Sequence, residues 1–176
     1  MNALIFIVET LLSLALIVML LRLLLQLSRA DFRNPIAQAI ARLTNPVILP
    51  LRRILPPVRK VDTTSVVAVL LVAFIEVGLV WALRGSEMPG AGLWLLRAVV
   101  LEILRTTLWT YFYAIFLYAL LSLIAPGGYS PMQSLLAALC EPVLRPFRRF
   151  IPAISGIDLS PLWAGIAIQA LLILLR

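Results

Sequence analysis

Apolar positions fall into four long runs, about Ala3 to Leu27, Val66 to Leu83, Val99 to Ala125 and Leu162 to Leu175. Each approaches the roughly 20 residues that a helix needs to cross a bilayer, the last being the shortest. The runs lack the alternation of apolar and polar side chains that strands of a membrane barrel require, so four spanning helices are predicted. The segment from Ser28 to Thr64 is too polar to span. Within it Ile36, Ile40, Leu43 and Val47 recur at helical spacing, with Gln38 and Arg42 opposite. That pattern predicts a short amphipathic helix lying along the membrane surface.

Proline then interrupts the pattern. Pro46, Pro50 and Pro56 each lack a backbone donor and disfavour helix at the preceding residue, so a broken, rigid segment is expected, either re-entrant or hugging the interface. The third apolar run extends back to Leu93 and is longer than a bilayer demands, so its first part, with Arg97, Glu102 and Arg105, is expected at the outer interface.

Much of the proline-rich stretch occurs twice. Pro46, Pro50, Arg52, Arg53, Pro56 and Asp62 recur without a gap, 96 positions on, as Pro142, Pro146, Arg148, Arg149, Pro152 and Asp158. The same offset sets Pro35 on Pro131, Leu43 on Leu139 and Ala68 on Ala164, as a duplicated unit would. The expected organisation is a first repeat over residues 1–84, a connection over 85–97 and a second repeat over 98–176, each a span, an interfacial segment and a span. Two spans per repeat return the chain to its starting side, so the repeats would run parallel.

Composition agrees with a membrane protein: 62% of the residues are hydrophobic and 13% charged, against roughly 45 to 50% apolar in soluble domains. The mean hydropathy is +1.06. The first run has no basic segment before it and holds Glu9, so it is read as a retained span rather than a signal peptide. The net charge of +7 lies in arginines between apolar spans, outside any nucleic-acid-binding framework, which points to anionic lipid as the counter-charge and not to nucleic acid. With no histidine and Cys140 the lone cysteine, His-dependent triads, haem ligation by His and the usual zinc sites are out of reach, and no cofactor is expected.

The doubled Pro-x-x-x-Pro-x-Arg-Arg-x-x-Pro-x5-Asp pattern between paired spans resembles the YggT family, also called YlmG-like, over nearly the whole chain. The resemblance implies a bacterial inner-membrane protein. Relatives have been linked to osmotic stress and potassium balance, to cell division, and to cytochrome complex assembly in plastids. It implies division or assembly proteins as partners, and a homo-oligomer is open. The second copy departs from the first where Ser155 and Gly156 stand for Arg59 and Lys60.

Two functional classes follow. In the first the protein is a non-enzymatic scaffold or assembly factor whose Pro-Arg-Arg segments bind lipid headgroups and partner proteins, with Arg52 and Arg148 expected to pair with Asp62 and Asp158. In the second it is an ion-homeostasis protein, a channel or transporter component for potassium or protons, with the mid-span carboxyl of Glu76 on the pathway. Glu76 has only Leu172 at its counterpart position, so the two halves do not jointly build an acidic site. Glu9 and Arg105 occupy equivalent positions and are expected to pair between the first and third spans. Arg22, near the end of the first span, is expected to snorkel to the near interface. Positive charge places the loops 28–64 and 126–160 in the cytoplasm.

Overall fold

The structure, a computed structural model, describes residues 2–54, 62–85, 92–124, 130–150 and 158–175. All regular structure among them is helical: α1 (Asn2–Leu27), α2 (Pro35–Ile54), α3 (Thr63–Arg84), α4 (Leu93–Ile124), α5 (Pro131–Phe150) and α6 (Ser160–Leu174). Three of these, α1, α3 and α4, are long and apolar enough to cross a bilayer, whereas α6 is apolar but has 15 residues. The spanning helices keep apolar side chains exposed, among them Leu11 on α1, Phe74 on α3 and Phe116 on α4, as faces turned to lipid require.

Local signals set the ends. Arg29 adopts a left-handed conformation (φ 55°) and its N–H donates to Gln26 O, which closes α1. Gly85 (φ 63°) does the same for α3, its N–H donating to Ala82 O. At the start of α6, the Ser160 N–H donates to Asp158 Oδ1 at 2.9 Å, and Pro161 sits in the first turn where a missing donor costs nothing.

The prolines do not break the interfacial segments. α2 runs unbroken through Pro46 and Pro50, and α5 through Pro142 and Pro146. The physical reason lies in their spacing. Two prolines four residues apart share one face, so both missing donors and both crowded carbonyls lie on the same side. That side is the exposed one in each helix, where water or headgroups can satisfy the freed carbonyls. The buried stripe of α2 also differs from the expected one: Ala37, Thr44 and Ile48 face inward, and Leu43 is 69% exposed. Pro56 and Pro152 lie outside the described residues.

α4 is likewise one continuous helix of 32 residues, about 48 Å at 1.5 Å per residue, with no break between its charged first part and its aromatic second part. In the second part Trp109 stacks on Tyr113 (ring centroids 5.5 Å apart) and meets Phe112 edge-on (5.7 Å).

The chain forms two compact units, Met1–Leu23 with Arg42–Thr107, and Leu24–Ala41 with Leu108–Arg176. The first packs Leu16, Met19 and Leu20 of α1 and Ile48 of α2 against Ala68, Val69, Val72 and Ala73 of α3, with Val99 of α4. Small residues at Ser65, Ala68 and Ala73 of α3 let neighbouring backbones approach where lipid, being as apolar as Leu, offers little hydrophobic drive. The second buries Leu135, Leu136, Leu139, Cys140 and Leu144 of α5 with Ala164 and Ile168 of α6.

The helices recur at the sequence offset. α2 begins and ends 96 residues before α5. Buried Thr44, Ile48, Thr64, Ala68 and Val72 have as counterparts Cys140, Leu144, Ser160, Ala164 and Ile168, also buried.

Candidate functional site

Two kinds of polar arrangement stand out: an ion-pair network where α2 meets α3 and α5 meets α6, and a charged cavity in the first unit.

In the first unit Arg52 ends α2 and Asp62 precedes α3. Arg52 Nη2 donates to Asp62 Oδ2 at 2.6 Å, and Ser65 Oγ donates to the same oxygen at 3.2 Å. The Asp62 side chain is 11% exposed and Arg52 44%, so the carboxylate is the buried partner and the guanidinium borders solvent or headgroups. Arg22 of α1 does not extend outward. It is 6% exposed and turns inward, Nη1 donating to Thr44 Oγ1 at 2.6 Å and Asn45 Oδ1 at 2.9 Å on α2. The side chain turns inward because Nη1 finds these two acceptors inside the protein, on the residues just before Pro46. Composition held no sign of this contact. The helical placement of Thr44 and Asn45 creates it.

The second unit repeats the scheme with different groups. Arg148 Nε donates to Asp158 Oδ2 at 2.9 Å and Nη1 to Glu141 Oε2 at 2.6 Å, while Nη2 donates to Tyr118 Oη at 3.3 Å. Tyr118 occupies the position of Arg22, and Glu141 that of Asn45. A cation in the first network is therefore replaced by a phenol, and an amide by a carboxylate. Burial alone would raise the Asp158 carboxyl, but hydrogen bonds from Ser160 and Arg148 outweigh it and hold the group below the usual aspartate range. Arg53 and Arg149, next to the paired arginines, are exposed.

The cavity, about 480 Å³, lies among α1, α3 and α4 of the first unit. Glu9 and Ser13 of α1, Glu76, Trp81 and Arg84 of α3, and Glu102 and Arg105 of α4 line it. Glu76 is 4% exposed. Its Oε1 accepts from Ser13 Oγ at 2.5 Å, and its Oε2 is buried with no hydrogen-bond partner among the described residues. Glu9 is met by Arg84, whose Nη2 lies 2.9 and 3.2 Å from its two carboxylate oxygens. Arg105, expected on Glu9, lines the same cavity. Glu102 Oε1 accepts from Thr106 Oγ1 at 3.3 Å. Sequence reasoning singled out Glu9 and Arg105 as a pair and Glu76 apart from them, but not Ser13, Arg84 or Glu102 as their neighbours. The i, i+4 spacing of Glu9 and Ser13, one turn apart on α1, was the available signal.

A larger groove of about 640 Å³ in the second unit, between α4 and α6, is apolar along Phe112, Ile115, Gly165 and Ile166, with Asp158 at its edge. No group of three or more His, Cys, Asp or Glu side chains able to hold a metal ion occurs among the described residues.

A family model described as CCB3/YggT matches residues 1–83 and 97–176. The chain belongs to the CCB3/YggT family. Among its relatives, an uncharacterized protein of Pseudomonas aeruginosa is 39% identical over 168 residues, covering 96% of this chain and 85% of that protein. The uncharacterized protein YggT of Escherichia coli strain K12 is 34% identical over 162 residues, covering 92% and 83%. An uncharacterized protein of Vibrio alginolyticus is 39% identical over 171 residues, covering 96% and 91%. No solved structure matches the chain. In this YggT-family chain the described Pro and Arg members of the doubled motif thus sit on α2 and α5, and Arg52 and Arg148 meet Asp62 and Asp158, which precede α3 and α6.

Proposed function

We propose that this YggT-family protein is a non-enzymatic bacterial inner-membrane scaffold or assembly factor, with four spans in two parallel repeats. Its two interfacial helices engage anionic headgroups and partner proteins. The reading is carried by the pairing pattern at the helix ends. In each Arg-Arg doublet the first arginine is tied to an aspartate, Arg52 to Asp62 and Arg148 to Asp158, and the second, Arg53 or Arg149, is exposed. The tied residue fixes the helix on the following span, and the exposed one is left for a phosphate, worth about 1 kcal/mol per basic residue near an anionic surface. Native mass spectrometry of detergent-solubilised protein tests this. Phosphatidylglycerol or cardiolipin should remain bound in preference to phosphatidylcholine, and Arg53→Gln with Arg149→Gln should remove that preference. Equal retention of neutral and anionic lipid by the unaltered protein would overturn the reading.

A second reading, ion homeostasis, is favoured by one observation: a buried carboxyl with an unpartnered oxygen faces a cavity between spans. Protein reconstituted in liposomes should then pass protons or potassium, and Glu76→Gln should abolish the flux.

A further inference from the structure

We infer that the first-unit cavity is a proton-binding site in which Glu76 takes up and releases a proton, with Ser13 as its hydrogen-bond partner. This deepens the ion-homeostasis reading by naming the ion and the group that carries it. The charges lining the cavity show the need for a monovalent counter-charge. Three carboxyls, Glu9, Glu76 and Glu102, face two guanidinium groups, Arg84 and Arg105, which leaves one excess negative charge when all are ionised. Glu9 is matched by Arg84 at 2.9 Å and is 43% exposed at its side chain, so water also supports its charge. Glu76 is the carboxyl 4% exposed, with no cation on either oxygen in the hydrogen bonds it makes. An ionised carboxylate at that depth is costly, and a proton is the smallest group that relieves the cost.

The geometry also selects among counter-ions. An alkali cation at Glu76 would find its two carboxylate oxygens and Ser13 Oγ, too few protein oxygens to replace its hydration shell. Glu102 already accepts from Thr106, and Glu9 from Arg84. A proton needs one oxygen, and Oε2 is that oxygen. A protonated Oε2 becomes a donor, while Oε1 keeps its bond from Ser13. Trp81, which also lines the cavity, has its Nε1 likewise buried with no hydrogen-bond partner among the described residues. The groups facing Glu76 are then Glu9 and Ser13 from α1, Trp81 and Arg84 from its own helix, and Glu102 and Arg105 from α4.

Infrared spectroscopy of the full-length protein in lipid bilayers tests the site directly. A carboxylic-acid carbonyl band present in mildly acidic buffer, lost reversibly in mildly alkaline buffer and absent from Glu76→Gln, is the expected result. Ser13→Ala should move the pH at which the band disappears, because it removes the hydrogen bond to Oε1, and it leaves the carboxyl in place should the Gln variant fold poorly. A Glu76-dependent band that is missing at every pH, or unchanged throughout, would overturn the proposal. Proton flux in liposomes separates the site from the reading on which it rests. A titrating band without flux keeps the site and discards transport, whereas flux with no Glu76 band discards the site.

Discussion

Arg22 Nη1 and Thr44 Oγ1 are 2.6 Å apart, both side chains buried, and they join the first span to the middle of the amphipathic helix that follows it. The bond sits beside Pro46, where α2 has lost a backbone donor, so the guanidinium contributes fixed hydrogen bonds at the helix's weakest turn. Arg22→Leu should therefore lower stability by about 1 to 3 kcal/mol, the cost of leaving Thr44 and Asn45 with a lost donor in a buried position. Arg22→Lys should recover only part of this, because a point charge cannot reproduce the planar fork. Thermal unfolding in detergent measures both. Equal melting of the Leu variant and the unaltered protein would show the contact to be dispensable.

The Arg148–Asp158 network makes a prediction about acid. The Asp158 carboxyl is held below its ordinary value in the folded chain by the Ser160 and Arg148 hydrogen bonds, against burial. A group depressed on folding contributes stability that is fully present above its unfolded value, about 3.9, and is lost as pH falls through the folded one. Melting temperature should thus be flat near neutrality on this account and fall in strong acid. Asp158→Asn should flatten part of the acid limb. At neutral pH its cost should be about 0.5 to 1 kcal/mol, since the carboxylate is 39% exposed. Asp62→Asn, with a side chain 11% exposed, should cost more, about 1 to 3 kcal/mol.

Glu9 and Arg84 should couple weakly. Both side chains are about half exposed, at 43% and 54%, and a double-mutant cycle between Glu9→Gln and Arg84→Gln should return about 0.2 to 1 kcal/mol. Strict additivity would remove this pair from the architecture.

Cys140 should be inert. It is fully buried in α5, and burial pushes its thiol up to about 12 despite the nearby Arg148. A water-soluble maleimide at neutral pH should leave it unmodified in the folded protein and label it after denaturation. That inertness suits the topology test: a cysteine in place of Ser86, in a Cys140→Ala background, should react from the external side of intact cells if the basic loops face the cytoplasm.

Helical membrane character, the duplication and the Arg-Asp spacing were legible in the sequence because each depends on local or periodic information: run length, a constant offset of 96, and ten residues between partners in both copies. Three features were decided by tertiary structure. The prolines read as breaks because proline removes a donor, but that rule does not know that both fall on an exposed face, where helix can continue past them. Arg22 read as a snorkelling side chain because its alternative partners, Thr44 and Asn45, become available only when α2 packs against α1. The repeat offset pointed from Glu9 to Arg105 but gave no sign of Arg84, which the antiparallel packing of α1 on α3 brings to Glu9, as it brings Ser13 to Glu76, 63 residues away. Sequence determined which charges enter the membrane region. Helix packing, which sets distance between residues far apart in the chain, determined which of them meet.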